Sequence, residues 1–252
     1  MAGDDSYTKA LLHFNGADAA TTFIDEKGNA WTAVGNAQLD TAEKYFGVSS
    51  YLSDGAGDYI TTPDTADWNF GSGAFTIDCW AYLNEAMGTS RCFAGLGGGV
   101  DGWLATGHEW VFFIYSDSKL YFQYKKTSMQ SVASTSTIDV DAGWHHFAVV
   151  RSGDVVALYV DGVSVKSTAM TGAIDHITGG TPIMIVGASA ATTVSWKGWI
   201  DEFRISKGIA RWTAAFNTAL PFGEYNPDAV CYLNARRNRM HIKGVSKHNA
   251  LA

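Results

Sequence analysis

The acidic residues are the first side chains in this sequence that could do chemistry, because paired carboxylates hydrolyse glycosides. The retaining form of that reaction needs an acid and a nucleophile about 5–5.5 Å apart. On one strand such a pair requires a pattern such as Glu-x-Asp-x-Glu, which the sequence lacks. Asp139 and Asp141 are two residues apart, but they lie in a predicted turn before Gly143. Asp201 and Glu202 are adjacent, so on a strand they point to opposite faces. The sequence therefore predicts a protein that is not an enzyme.

Two glycine-rich segments have compositions that are found in binding loops. Residues 97–102 match the spacing G-x-G-x-x-G, but the residues that follow, 103–107, do not have the pattern of a helix, so we interpret this segment as a loop. Residues 53–58 lie between two predicted strands, and Asp54, Asp58 and nearby carbonyls could bind calcium, which prefers oxygen ligands. The alternative is that both aspartates cap turns.

Aromatic side chains beside hydrogen-bonding groups are typical of sugar-binding sites. The alternation over residues 75–82 places Asp78 and Trp80 on one face of a predicted strand, opposite Phe75, Ile77 and Cys79. Asp78 and Trp80 could line a binding groove. The further candidates for ligand binding are Trp103, Trp110 and Tyr115. The alternative is that most of the nine tryptophans pack in the core or along sheet edges.

The element that must position these residues is a predicted β-meander over residues 144–165. Its strands are rich in β-branched and apolar residues, and residues 152–154 supply the first turn. Asp161-Gly162 predicts a type I′ turn, which needs positive φ at both central positions. His145 and His146 are neighbours on the first strand, so we expect one to be packed and the other to be exposed.

The remaining sequence predicts an all-β fold. Roughly a dozen short strands recur at about 8–12-residue spacing, with no helix beyond a turn near residues 210–216. This pattern indicates a two-sheet antiparallel jelly-roll sandwich. Residues 88–107 are interpreted as a glycine-rich interval. Over residues 199–206, strict alternation predicts one face with Trp199, Asp201, Phe203 and Ile205, and another with Ile200, Glu202 and Arg204.

Charge separates the C-terminal segment from the rest of the chain. The 252 residues carry a net charge of −7, which argues against nucleic acid as a partner, yet residues 223–252 hold five basic and two acidic residues. We predict an N-terminal arm at 1–7, one domain at 8–222 and a basic C-terminal arm at 223–252. This arm would dock on an acidic partner subunit through Arg236, Arg237, Arg239 and Lys243.

The sequence gives no sign of export or of a membrane partner. Residues 1–5 are acidic and lack the apolar run of a signal peptide. No stretch reaches the 18 or so apolar residues that a membrane span needs.

Several motifs, in the right order, resemble the laminin-G-like jelly rolls of the concanavalin A-like lectin and glucanase superfamily. The central motif is Trp144-His145-His146-Phe147-Ala148 followed by Leu158-Tyr159-Val160-Asp161-Gly162. The others are the opening strand with Leu11–Gly16, the segment Asp54–Ile60 and the closing strand Gly198–Ile205. The resemblance covers about residues 8–222 and implies the jelly-roll fold.

The resemblance also implies a structural calcium ion near the opening and closing strands. It nominates the carbonyls of Asn15 and Gly16 together with the carboxylate of Asp201, beside Asp54 and Asp58. The alternative is that Asp201 accepts hydrogen bonds from the backbone.

The segment Lys207–Trp212, after the closing strand, is similar to versions in tailed-phage structural proteins and bacterial surface proteins. The resemblance implies a non-enzymatic virion protein of the capsid surface or tail, assembled in the host cytoplasm. Its expected partners are other virion subunits, further copies of itself and glycans. The alternative is a secreted bacterial carbohydrate-binding or adhesion module at the cell surface, and a glycoside hydrolase is a third, less favoured interpretation.

Overall fold

The computed structural model describes residues 4–97, 108–140, 143–176, 183–189 and 194–218. These residues form β-strands and no helix, which confirms the predicted all-β class. The strands are β1 (Thr8–Leu12), β2 (Thr32–Val34), β3 (Gln38–Asp40), β4 (Ser50–Asp54), β5 (Tyr59–Pro63), β6 (Phe75–Leu83), β7 (Arg91–Gly97), β8 (His108–Ile114), β9 (Leu120–Lys125), β10 (Met129–Ala133), β11 (Trp144–Ser152), β12 (Val155–Val160), β13 (Val163–Ala169), β14 (Ile183–Val186) and β15 (Lys197–Lys207).

The strands make two antiparallel sheets that pack face to face. The eight-stranded sheet has the order β13-β12-β11-β6-β15-β4-β3, with β1 also paired to β15. The seven-stranded sheet has the order β10-β9-β8-β7-β14-β5-β2. Large apolar side chains from both sheets fill the space between them, including Phe93, Phe112 and Phe147, which are fully buried. The predicted two-sheet sandwich is therefore confirmed.

The central meander forms as predicted. β11 pairs with β12 on one side and with β6 on the other, and β12 pairs with β13. Asp161 and Gly162 have φ angles of 49° and 78°, the positive values that a type I′ turn requires. His146 is fully buried and the side chain of His145 is 22% exposed, so these neighbours do lie on opposite faces.

The interpretation of residues 88–107 as a glycine-rich interval is wrong for residues 91–97. These residues form β7, an interior strand of the seven-stranded sheet between β8 and β14. Cys92 and Phe93 are both fully buried although they face opposite sides of the sheet. Glycine content misled the prediction because a strand buried on both faces shows no alternation of polar and apolar residues.

Strict alternation fails in β15. Trp199 lies on the outer face of its sheet, whereas Phe203 and Ile205 lie in the core with Ile200. The register shifts between Asp201 and Arg204, where Glu202 has a φ angle of 51°. This bulge adds a residue to the strand and exchanges the two faces beyond it.

A segment after β15, residues 209–218, returns across the outer face of the eight-stranded sheet. Trp212 and Phe216 are stacked with ring centroids 3.9 Å apart and cover the buried Ala148 and Tyr159. The N–H of Phe216 donates to the carbonyl of Gly162. This segment covers one half of the outer face and does not reach the other half, where Trp144 and Trp199 are partly exposed. The described residues contain no helix that could cross a membrane. Residues 219–252, with the predicted basic arm, lie outside the described residues.

Candidate functional site

The open half of the outer face carries three aromatic side chains in one row across neighbouring strands. Trp144 on β11 is the register partner of Tyr82 on β6, and Tyr82 is the partner of Trp199 on β15. The Tyr82 ring centroid lies 6.0 Å from that of Trp144 and 5.2 Å from that of Trp199. All three side chains are partly exposed. We call Trp144, Tyr82 and Trp199 the aromatic row.

Gly198 allows β15 to approach β6 closely at this point. Its φ angle is 127°, and a Cβ atom at this position would lie 2.2 Å from the carbonyl oxygen of Tyr82. No other residue type fits this contact without moving the backbone. The motif Gly198-Trp199 thus brings the indole of Trp199 beside Tyr82.

Two carboxylates fix the tryptophans at the ends of the row. The Nε1–H of Trp199 donates to Oδ2 of Asp40 over 2.7 Å, and the Nε1–H of Trp144 donates to Oε1 of Glu43 over 2.8 Å. Asp40 and Glu43 are themselves partly exposed. The row is therefore an apolar strip with hydrogen-bond acceptors at its rim.

The loop at residues 41–49 lies over the sheet next to the row. The ring of Tyr45 stacks on the indole of Trp80 with centroids 3.6 Å apart, which leaves Trp80 only 3% exposed. The fully buried Asp201 holds this loop, because its Oδ2 accepts hydrogen bonds from the backbone N–H groups of Tyr45 and Phe46. Burial raises the pKa of Asp201, and the nearby Glu202 carboxylate raises it further. The backbone N–H groups that donate to Asp201 lower its pKa, but by less.

A buried ion pair lies beneath the closed half of the outer face. Arg204 donates from Nε and Nη2 to the two carboxylate oxygens of Asp78, each over 3.0 Å, and neither side chain is exposed. Nε2 of His146 lies 3.5 Å from Asp78, and the guanidinium of Arg204 lies 5.5 Å from the ring centre of Trp212. Burial by itself raises the pKa of Asp78, but Arg204 and His146 bring it below its usual value. Asp78 is thus part of the packing of the sheet.

The residues predicted to bind a ligand do not come together. Asp78 and Trp80 share the outer face of the eight-stranded sheet as expected, but both are covered. Trp110 is fully buried in the core between the sheets, so it presents no face to a ligand. Tyr115 packs with Phe113 on the outer face of the other sheet. Trp103 lies outside the described residues.

Sequence reasoning missed the aromatic row, although part of the signal was present. Tyr82 follows the same alternation as Trp80, so its face could be assigned from sequence. The alignment of Trp144 and Trp199 with Tyr82 depends on the pairing register of strands that are far apart in the chain.

The residues predicted to bind calcium have other partners in this conformation. The oxygens of Asp58 accept hydrogen bonds from the backbone N–H groups of Asn36 and Asp54, and Oδ1 of Asp54 accepts from Ala56. These two aspartates therefore cap turns.

Near the opening strand, Oδ1 of Asn15 accepts a hydrogen bond from the N–H of Val48, and the carbonyl of Gly16 accepts one from the hydroxyl of Ser49. Asp201 binds backbone N–H groups, as described above. Each of these carboxylates thus already accepts hydrogen bonds from N–H groups, and the binding of a calcium ion stays a prediction.

A laminin G family model, described as concanavalin A-like lectin/glucanases superfamily, matches residues 54–211, which is more than half of the chain. The chain belongs to the concanavalin A-like lectin/glucanase superfamily. The family expected from the sequence motifs is therefore confirmed. No curated protein matches the chain.

Several solved structures share this fold. The binding domain of Paraclostridial Mosquitocidal Protein 1 superposes with a TM-score of 0.58 at 15% identity, covering 81% of this chain and 50% of that one. The binding domain of botulinum neurotoxin DC, in complex with rat synaptotagmin II, gives 0.56 at 15% identity, covering 91% and 51%. Domain 4 of AbnA, a GH43 extracellular arabinanase from Geobacillus stearothermophilus in complex with arabinotriose, gives 0.53 at 18% identity, covering 82% and 95%.

At these identities the likeness concerns the fold alone. The chain spans about half of the length of the two toxin binding domains, whereas it spans nearly all of the arabinanase domain. The superfamily hosts binding modules and enzymes alike, so a function for this chain has to be argued from its own site.

Proposed function

We propose that this protein is a non-enzymatic recognition module that binds neutral oligosaccharides on the aromatic row. The observation that carries the proposal is the alignment of three partly exposed aromatic rings across adjacent strands. The C–H faces of sugar rings pack on aromatic faces, and a few polar groups at the edge of such a platform orient the ligand.

The length of the row favours an oligosaccharide over a single sugar. Neighbouring strands lie about 4.8 Å apart, so a row across three strands spans roughly 10 Å. The ring separations of 5.2 and 6.0 Å keep this strip continuous from Trp144 to Trp199. A linear glycan that runs across the strands would contact all three rings.

The charge of the rim favours neutral glycans. Asp40 and Glu43 lie at the two ends of the row and offer only acceptor oxygens to a ligand. Sugar hydroxyl groups can donate to these oxygens, whereas the carboxylate of a sialic or uronic acid would be repelled. The net charge of −7 also disfavours the binding of acidic glycans.

Two features support the absence of catalysis. The sequence contains no Glu-x-Asp-x-Glu pattern, and the rim carboxylates Asp40 and Glu43 each accept a hydrogen bond from an indole.

We propose further that this module is carried on a phage virion as a capsid-surface or tail component. The supporting features are the segment Lys207–Trp212, which resembles versions of the fold in tailed-phage structural proteins and in bacterial surface proteins, and the basic residues 236–243 in an otherwise acidic chain. A secreted bacterial carbohydrate-binding module is the second candidate, and the match to nearly the whole of an arabinanase domain favours it. In either setting the aromatic row would bind the glycan.

The proposal is tested on an array that holds neutral, sialylated and uronic-acid glycans. We expect binding to neutral oligosaccharides and no release of reducing sugar. W199A and Y82A should each lower the affinity by at least about tenfold, because each removes one of the three aromatic contacts. Y121A is the matched control, because Tyr121 is a partly exposed aromatic residue on the outer face of the other sheet. The proposal would be overturned if Y121A abolished glycan binding while W199A left it unchanged.

A further inference from the structure

A second cluster of polar side chains lies at one end of the seven-stranded sheet, separate from the aromatic row. It consists of Asp64, which directly follows β5, Glu109 at the start of β8, and His176 in the segment after β13. One ligand atom from each residue can be chosen so that all three lie within 4.8 Å of one another. Three distant parts of the chain thus bring an imidazole and two carboxylates together.

The histidine lies between the two carboxylates. Its Nδ1 is 2.7 Å from Oε1 of Glu109, and its Nε2 is 3.9 Å from Oδ2 of Asp64. When Nδ1–H donates to Glu109, Nε2 carries a lone pair that points away from Glu109. A carboxylate that binds one ring nitrogen of a histidine in this way is the usual support of a metal-binding imidazole.

The cluster is partly buried, and within the described part of the chain one of its carboxylate oxygens lacks a hydrogen bond. Glu109 is only 1% exposed. Oδ1 of Asp64 is buried and has no hydrogen-bond partner among the described residues. An unpaired buried carboxylate oxygen is destabilising unless a charge or a ligand compensates it.

We propose that this cluster is a binding site for one divalent transition-metal ion of the Zn²⁺ type. Nε2 of His176 and the carboxylate of Asp64 are the protein ligands, Glu109 is a positioning residue that fixes the imidazole, and water completes the coordination. An imidazole ligand favours zinc and related ions over calcium and magnesium, which prefer oxygen.

The distances are compatible with such an ion. Bonds of about 2.0–2.2 Å to a tetrahedral Zn²⁺ place two ligand atoms about 3.4 Å apart, close to the 3.9 Å between Nε2 of His176 and Oδ2 of Asp64. His176 lies on an exposed segment, so a small movement of its side chain closes the difference.

The test is calorimetric titration of the full chain with Zn²⁺ after treatment with a chelator. We expect one equivalent to bind the wild-type protein, and H176Q and D64N to abolish that binding. E109Q should weaken binding by roughly ten- to a hundredfold without abolishing it, as expected of a residue that orients a ligand. H145A is the matched control, because His145 forms a similar 2.7 Å pair with the single carboxylate of Asp161.

Thermal unfolding in the presence of chelator checks that each variant is folded. Because the three substitutions lie in different segments, the site can still be tested with the remaining variants if one of them does not fold. Retention of zinc binding by H145A and its loss in H176Q and D64N supports the site. Absence of zinc binding in the wild type, or equal binding by H176Q, would overturn it and leave the cluster as a histidine-bridged ion pair.

Discussion

The indole of Trp199 and the phenol ring of Tyr82 lie on adjacent antiparallel strands as direct register partners, with their centroids 5.2 Å apart. The close approach of β15 and β6 at Gly198 fixes this pair, and Trp144 extends it on the other side. The two rings therefore form a rigid surface rather than two independent contacts. A rigid aromatic surface loses little conformational entropy when a ligand binds, so more of the contact free energy contributes to affinity.

The rim carboxylate Asp40 should contribute to glycan binding through Trp199. In D40A the indole loses the acceptor at 2.7 Å, so its orientation is less restricted. We expect the glycan dissociation constant to rise by about three- to tenfold, in line with the loss of one charge-assisted hydrogen bond, as measured by calorimetry.

The matched control for D40A is D117A. Asp117 accepts a hydrogen bond from the Tyr121 hydroxyl over 3.0 Å on the opposite sheet. An equal loss of affinity in both variants would show that the effect does not come from the aromatic row.

Breaking the buried pair of Asp78 and Arg204 should destabilise the fold. D78N leaves the guanidinium buried without a full counter-charge, which costs about 3–5 kcal/mol in the free energy of unfolding, measured by urea denaturation. The control is D67N, because Asp67 pairs with Lys9 at an exposed site over 3.8 Å, where the loss should stay below about 1 kcal/mol. Similar losses in the two variants would contradict this account of the outer face.

Stability should fall at acid pH through two paired aspartates. Burial by itself raises the pKa of Asp5, but Arg211 lowers it to about 2, and the pKa of Asp78 is also lowered by Arg204 and His146 against the effect of burial. A depressed folded-state pKa gives stability that is present above the unfolded-state value near 4. That stability is lost as the pH falls through the folded-state value.

We therefore expect the midpoint of thermal unfolding to drop between about pH 4 and pH 2. D5N should show a smaller drop over this window than the wild type. A wild-type midpoint that does not change from pH 4 to pH 2 would contradict the prediction.

The predicted calcium ion can be tested by its effect on stability. An ion that binds only the folded chain raises the midpoint of thermal unfolding, so millimolar calcium should raise it and a chelator should reverse the effect. D201N should remove the response because Asp201 is the central predicted ligand. A wild-type midpoint that calcium does not change would contradict the predicted ion. The role of Asp201 would then be to accept hydrogen bonds from the backbone N–H groups of the loop at residues 41–49.

Deletion of residues 224–252 should separate folding from assembly. Both sheets and their core lie within residues 4–218, so we expect the truncated chain to unfold at the same temperature as the full chain. The truncated chain should no longer co-sediment with the virion proposed above, because the deletion removes the basic residues 236–243. Unfolding of the truncated chain would contradict the proposed division into domain and arm.

By itself, the sequence determined the fold class, the superfamily and the central meander. Local chemistry is sufficient for these features: β-branched runs specify strands, and Asp161-Gly162 specifies its turn because few residues tolerate positive φ. The opposite faces of His145 and His146 follow from the two-residue period of a strand.

Only the tertiary structure decided which side chains form a site. Asp78 and Trp80 have the face that was predicted, yet Arg204 and Tyr45, from distant parts of the chain, cover them. The alternation of β15 predicted the wrong faces because the bulge at Glu202 is a local backbone event with no residue pattern of its own. The aromatic row depends on long-range strand register, which is set by packing of the whole sandwich and not by the sequence of any one strand.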